Sequence, residues 1–199
     1  TIFIEPMSAV EISNDLRRKT ADEEQEVERI LGELSQEVQA VGDMLRQNLS
    51  LLAQLDLAMA KGKLSYLQRA VQPLINEDGY LNLKNARHPL LPAETVVPSS
   101  VYLGKEFNAL LVTGPNTGGK TVTLKTVGLL ALMGQAGLHI PADEGSELTV
   151  FQTIFADIGD EQSIEQSLST FSSHMINIID ITERADHRSL VLLDELGAG

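Results

Sequence analysis

From Val27 onward, apolar residues recur at alternating steps of four and three: Val27, Leu31, Leu34, Val38, Val41 and Leu45, then Asn48, then Leu52 and Leu55. That spacing is a heptad seam of about four repeats, an apolar stripe along one side of a helix. No proline falls between Met7 and Gln72, so the pattern predicts one helix from about Ser8 to Lys61, roughly 80 Å long at 1.5 Å per residue. Such a helix is an arm. Asn48 on the seam either fixes register against a partner or is a solvated residue where the seam frays, and Glu23, Glu24, Glu26 and Glu28 read as a solvated face. A seam of this length needs a partner helix, yet the chain offers only the short amphipathic stretch Leu64, Leu67 and Val71. The partner is therefore missing or belongs to another chain.

After Pro73 the pattern changes. Tyr80 to Lys84 alternates as a strand, and a connection with Pro89, Pro92 and Pro98 follows. Then come an apolar run, Ala109 to Val112, a Gly-rich turn, a helical pattern from Lys120 to Gln135, and a second apolar run, Ser189 to Leu193. Strand, loop, helix and buried strand in this order predict an α/β nucleotide-binding domain with a largely parallel sheet. The expected division is 1–76 as a long lever helix with a small helical core, 77–100 as a strand and linker, and 101–199 as the nucleotide-binding domain. The abrupt start at Thr1-Ile2-Phe3-Ile4 and stop at Gly199 suggest an excised piece of a longer protein.

Composition narrows the function classes. With 43% apolar residues the chain can build a core, and its net charge of −13 argues against wrapping nucleic acid unaided, because phosphate binding relies on clustered Lys and Arg. The charge is uneven: residues 1–60 carry 5 basic and 12 acidic groups, residues 61–100 carry 5 and 3, and residues 101–199 carry 5 and 13. Any weakly basic surface is in the middle. There is no cysteine, so no disulfide or thiolate metal site is possible and the cytosol is the default compartment. The most apolar stretch, Val127 to Ala142, is interrupted by Gln135 and His139, so no membrane span or signal peptide is expected.

Chemistry concentrates in two motifs. Gly114-Pro115-Asn116-Thr117-Gly118-Gly119-Lys120-Thr121 matches G-x-x-x-x-G-K-[ST] between the expected strand and helix. Glycines let successive backbone N–H groups curl toward phosphates, and the helix N-terminus adds partial positive charge. In this pattern Lys120 reaches the β- and γ-phosphates of ATP, and Thr121 ligates Mg²⁺ through its hydroxyl. The second motif, Leu190-Val191-Leu192-Leu193-Asp194-Glu195, sets two carboxylates at the C-terminal end of a buried strand, the edge where open α/β sheets bind ligands. Asp194 suits the second anchor of the metal, and Glu195 suits a base that positions the attacking water. A third segment, Ser167 to His174, is rich in hydroxyls and precedes the helical run Met175 to Ile181; by itself it reads as a helix cap. His88, His139, His174 and His187 are scattered and suggest no metal site.

These residues carry a family resemblance over nearly the whole chain. "GPNTGGKT" resembles the phosphate loop of MutS proteins and ATP-binding-cassette ATPases, while "TVTLKTVGLLALMGQAGLHIPA", "STFSSHM" and "LLDELGAG" point to MutS. The start "IFIEP", the "ARHPLL" segment and "KTVGLL" are similar to the second bacterial branch of that superfamily. The resemblance implies an α/β P-loop ATPase domain of ABC/MutS type, cut at its Walker B strand and preceded by a long helical arm and a small helical core. It also implies a homodimer, Asn116 at the triphosphate, and Ser169 with Thr170 facing nucleotide bound to the partner subunit. Such proteins are linked to branched DNA and suppression of recombination, and to rescue of stalled ribosomes through rRNA-containing particles, and they typically carry a C-terminal nuclease-like domain. In relatives the segment past "DELGAG" continues the sheet and much of the dimer contact, so hydrolysis by this stretch alone is expected to be feeble. Two other readings stand beside this one. A transporter-type cassette subunit predicts a Leu-Ser-Gly-Gly-Gln-like signature where this chain has Leu168-Ser169-Thr170-Phe171. A non-enzymatic coiled-coil interaction protein would hold nucleotide only structurally.

Overall fold

The computed structural model describes residues 6–115, 118–159 and 167–194, with side chains in the last stretch from residue 174 onward. It divides into two units, Thr1–Leu57 and Ala58–Gly199.

The first unit is helical. α1 spans Met7–Ala40 behind Pro6, whose carbonyl accepts the N–H of Ala9 at 2.9 Å. Proline suits this position because a helix start leaves its first N–H groups without intrahelical partners anyway. α2 spans Gly42–Gln68 and runs on into the second unit. The expected single helix is thus two helices abutting at Val41, which leaves the α-helical region with φ −109° and ψ 9°. The physical cause is local: a β-branched residue beside Gly42 weakens propagation, since glycine alone costs about 1 kcal/mol against alanine. No described residue of α1 is buried, nor any of α2. The seam stands open, with Leu31 58%, Leu45 50% and Leu52 62% exposed. Surface ion pairs, Arg29 with Glu26 and Glu33 and Arg46 with Asp43, support the helices only weakly because water and salt screen them.

The second unit begins with the end of α2. Arg69 takes a left-handed φ of 48° and stops the helix, and its carbonyl accepts a bond from Arg87 Nη2 at 2.8 Å. The elements that follow are β1 (Leu74–Asn76), β2 (Leu81–Ala86), β3 (Ser99–Leu103), α3 (Lys120–Gln135), β4 (Glu147–Thr149), β5 (Thr153–Asp157), α4 (Ser167–Arg184) and β6 (Ser189–Leu193). One sheet has the order β1-β4-β2-β3; β1 and β4 are parallel, while β2 is antiparallel to both neighbours. A second, two-stranded sheet pairs β5 and β6 in parallel, with Asp157 opposite Leu193.

Two further expectations need correction. The sheet structure is mixed rather than largely parallel, because no crossover helix separates β2 from β3 and a short Pro-rich return leaves neighbouring strands antiparallel. The run Ala109 to Val112 is not a strand: no described strand pairs with it, and Leu111 is 79% exposed. An extended run becomes a strand only against a neighbouring backbone, and the described neighbour here is a groove of about 580 Å³ that the run lines together with Leu190, Val191 and Leu192 of β6.

One core unites the pieces of this unit. Leu81 and Leu83 alternate inward along β2; the chain bulges at Asn85 (φ 47°) and returns Ala86 to the interior. Val127, Leu130 and Ala131 of α3 join them, as do Ile140, Leu148, Leu190 and Leu192. Gly128 lets α3 close on β6, since a Cβ there would lie 2.7 Å from Leu192 Cδ1. The N-terminus of α3 is thereby held next to the C-terminal end of β6. No helix of the described residues is long and apolar enough to cross a membrane.

Candidate nucleotide site

The Gly-rich segment folds as its composition requires. Gly114 has φ 151° and Gly119 has φ 77°, both in the region that side-chain-bearing residues avoid. Between them Gly118 N–H bonds to the Pro115 carbonyl at 2.9 Å. Gly119 is the N-cap of α3, and no described side chain caps the helix. A helix start without a capping side chain keeps donors and partial positive charge facing outward, the arrangement that receives a phosphate.

Two side chains leave the first turn of α3 in different directions. Lys120 Nζ donates to the Gly114 carbonyl at 2.6 Å, folding back over the loop. Thr121 Oγ1 donates to Asp194 Oδ2, joining the helix start to the residue just past β6. Asp194 is set there by the strand ladder, its N–H bonding to the Asp157 carbonyl at 3.0 Å. A hydroxyl and a carboxylate in contact are the hard oxygen donors that Mg²⁺ takes, usually together with substrate phosphate oxygens and water. Among the described residues no three His, Cys, Asp or Glu gather into a metal cluster. The donor set fits a nucleotide-borne Mg²⁺. Thr113, Gly114, Lys120 and Asp194 also line the groove beside β6.

Of the remaining candidates, Asn116, Thr117 and Glu195 lie outside the described residues, and so does the side chain of Ser169, whose backbone lies in the first turn of α4. The sequence reading passed over Asp157, His174 and Asn177. Asp157 is 6% exposed at the end of β5 and accepts bonds from His174 Nδ1 at 2.9 Å and Asn177 Nδ2 at 3.4 Å. The available signal was an acid ending the short apolar run Ile154 to Ala156, with His174 and Asn177 three apart on one helix face. Elsewhere, burial, aided by the charge of Lys125, holds the His88 imidazole below its ordinary pKa.

Residues 110–199 match the family described as MutS domain V. Over all 199 residues the chain is 59% identical to Endonuclease MutS2 of Clostridioides difficile (strain 630), 59% identical to that of Halalkalibacterium halodurans, and 60% identical to that of Brevibacillus brevis. In each case the whole chain is covered but only 25% of the relative, so the chain spans about a quarter of the length of these MutS2 proteins. The loop, α3 and β6 all fall within the matched MutS domain V, which is the ATPase region. A transporter subunit is set aside on the same finding.

Proposed function

We propose that this chain is the nucleotide-operated part of a MutS-like homodimer. It binds ATP with Mg²⁺ and, within a longer protein, hydrolyses ATP to switch a long helical arm that clamps branched DNA or a stalled ribosome. The observation that supports this reading most is the contact of Thr121 with Asp194, at the mouth of a loop whose lysine folds over it.

The roles follow from the chemistry. Backbone N–H groups of 114–121 cradle the phosphates, with Asn116 beside the triphosphate, and Lys120 moves from the Gly114 carbonyl to the β- and γ-phosphate oxygens. Thr121 and Asp194 hold Mg²⁺, which when bound neutralises charge on the transferring phosphoryl group. Glu195 orients the attacking water. Ser169 acts in trans, offering its hydroxyl to the γ-phosphate held by the partner subunit. ATP would then bridge two subunits where ADP would not, so hydrolysis would release the closed dimer by differential affinity alone.

Calorimetric titration of the chain with ATP and Mg²⁺ tests the binding reading. Lys120→Ala is expected to weaken affinity by about 100-fold, the loss of one or two charge-assisted contacts; unchanged affinity would overturn the assignment. For the longer protein, ATP turnover should collapse in Glu195→Gln, and the material that co-purifies with a non-hydrolysable ATP analogue should be branched DNA or ribosomal particles.

A further inference from the structure

Among the described residues Asp157 is the only buried charged side chain, and the reaction outlined above makes no use of its carboxylate. A carboxylate leaves water only at a cost, which must be offset by donors. Both of its oxygens are served by one helix: Oδ2 accepts from His174 Nδ1 at 2.9 Å and Oδ1 from Asn177 Nδ2 at 3.4 Å, three residues further along α4. A carboxylate can only accept, so Nδ1 carries the proton and donates it. Asp194, by contrast, takes only the main-chain carbonyl of Asp157, which any residue at that position would supply. The side chain of Asp157 therefore serves α4, not the end of β6.

The form of this contact matters. Apolar packing is non-directional and lets a helix slide or turn over a sheet. Two donors at i and i+3 that converge on the two oxygens of one carboxylate set both the rotation and the axial position of the helix. Ser169 lies five residues before His174, about 7.5 Å along the same helix. We propose that Asp157, His174 and Asn177 form a polar latch that fixes where the first turn of α4 stands and so aims Ser169 at the nucleotide of the partner subunit. His174 is a positioning residue for hydrolysis. The inference rests on the trans role of Ser169 proposed above.

The test uses the full-length homodimer. His174→Ala should lower kcat for ATP by about 10- to 100-fold while KM stays within about threefold, because the binding loop is untouched and only alignment is lost. His174→Asn, which keeps an N–H close to the position of Nδ1, should recover most of the rate. The double variant Asp157→Ala with His174→Ala removes charge and donor together, leaving no unpaired carboxylate to unfold the protein, and should stay slow. A parental kcat in the double variant would overturn the latch.

Mixed dimers locate the defect. His174→Ala combined with Lys120→Ala should regain activity, since one composite site is intact, whereas His174→Ala combined with Ser169→Ala should not. The opposite pattern would put His174 in the service of its own subunit's loop and overturn the proposal. Ser169→Ala with Lys120→Ala is the control for the trans reading itself. If that pair stays inactive while heterodimers form, the trans role of Ser169 falls and the aim of the latch falls with it. A working control with a failed His174 pairing sinks the latch alone.

Discussion

The two units obey opposite rules. In Thr1–Leu57 local pattern makes the structure: long helices form, and none of their described residues is buried. In Ala58–Gly199 burial makes it: strands as short as three residues persist because Leu81, Leu83, Leu130, Ile140 and Leu148 close over one another. A helix satisfies its own backbone and can stand with one apolar face open, whereas a strand has no hydrogen-bonded existence without a neighbour. The lesson is that the seam from Val27 to Leu55 is a surface awaiting a partner, while the apolar positions of the second unit are already spent on its fold.

The sharpest way to break that contrast is to truncate leucines on each side of it. Leu130→Ala removes a fully buried side chain and should cost about 2–5 kcal/mol of unfolding free energy, from lost transfer energy and a cavity. Leu34→Ala, on a seam residue 53% exposed, should cost no more than about 0.5 kcal/mol in the same denaturant titration. A large loss at Leu34 would mean that the seam is already paired.

A smaller effect probes the junction of α1 and α2. Nothing lies within 4 Å of where a Cβ would stand on Gly42, and its φ is not in the positive range. Gly42→Ala should therefore raise helix content and add up to about 1 kcal/mol of local helix stability, read by circular dichroism at increasing temperature. No gain would place the cause of the break in Val41 alone.

The smallest expected effect sits in the second unit. The folded state holds the His88 pKa below its unfolded value, chiefly through burial and then through Lys125. The unfolded chain consequently binds more protons near and below the ordinary histidine pKa, so this contribution is present above that value and is lost as pH falls through the folded pKa. The thermal midpoint should decline between about pH 7 and pH 5, and His88→Gln should flatten part of that decline. An unchanged slope would show that burial of His88 is not linked to folding.

The legibility of this chain follows the same division. The period of the seam and the absence of proline predict helix from about Ser8 to Lys61, and helix is found from Met7 to Gln68 apart from Val41. The start of α3 at Lys120 was readable because a phosphate loop must end in a helix. The direction of β2 and β3 was not, because alternation says which face is buried and nothing about which way a neighbour runs. The run Ala109 to Val112 was misread as a strand for a related reason: apolarity marks a segment that wants a neighbour, not one that has found it.

The candidate site divides in the same way. Lys120 and Thr121 were nominated by a contiguous motif, and Asp194 by an apolar run ending in acids, but the meeting of Thr121 with Asp194 across 73 residues is a tertiary event. Asp157 with His174 shows the limit: an acid at a strand end and a histidine among hydroxyls are each unremarked until the fold sets them 2.9 Å apart.

By itself, then, the amino-acid order determined the helical stretches, the apolar seam and the glycine-rich motif ahead of α3. Each of these depends on steps of one, three, four or seven residues, which the covalent chain enforces wherever the rest of the molecule goes. Only the tertiary structure decided which strands pair, which acid is buried and which helix serves it. Those choices join residues far apart in the chain, and they are made by the closing of one core, in which a buried carboxylate must find donors wherever the packing brings them.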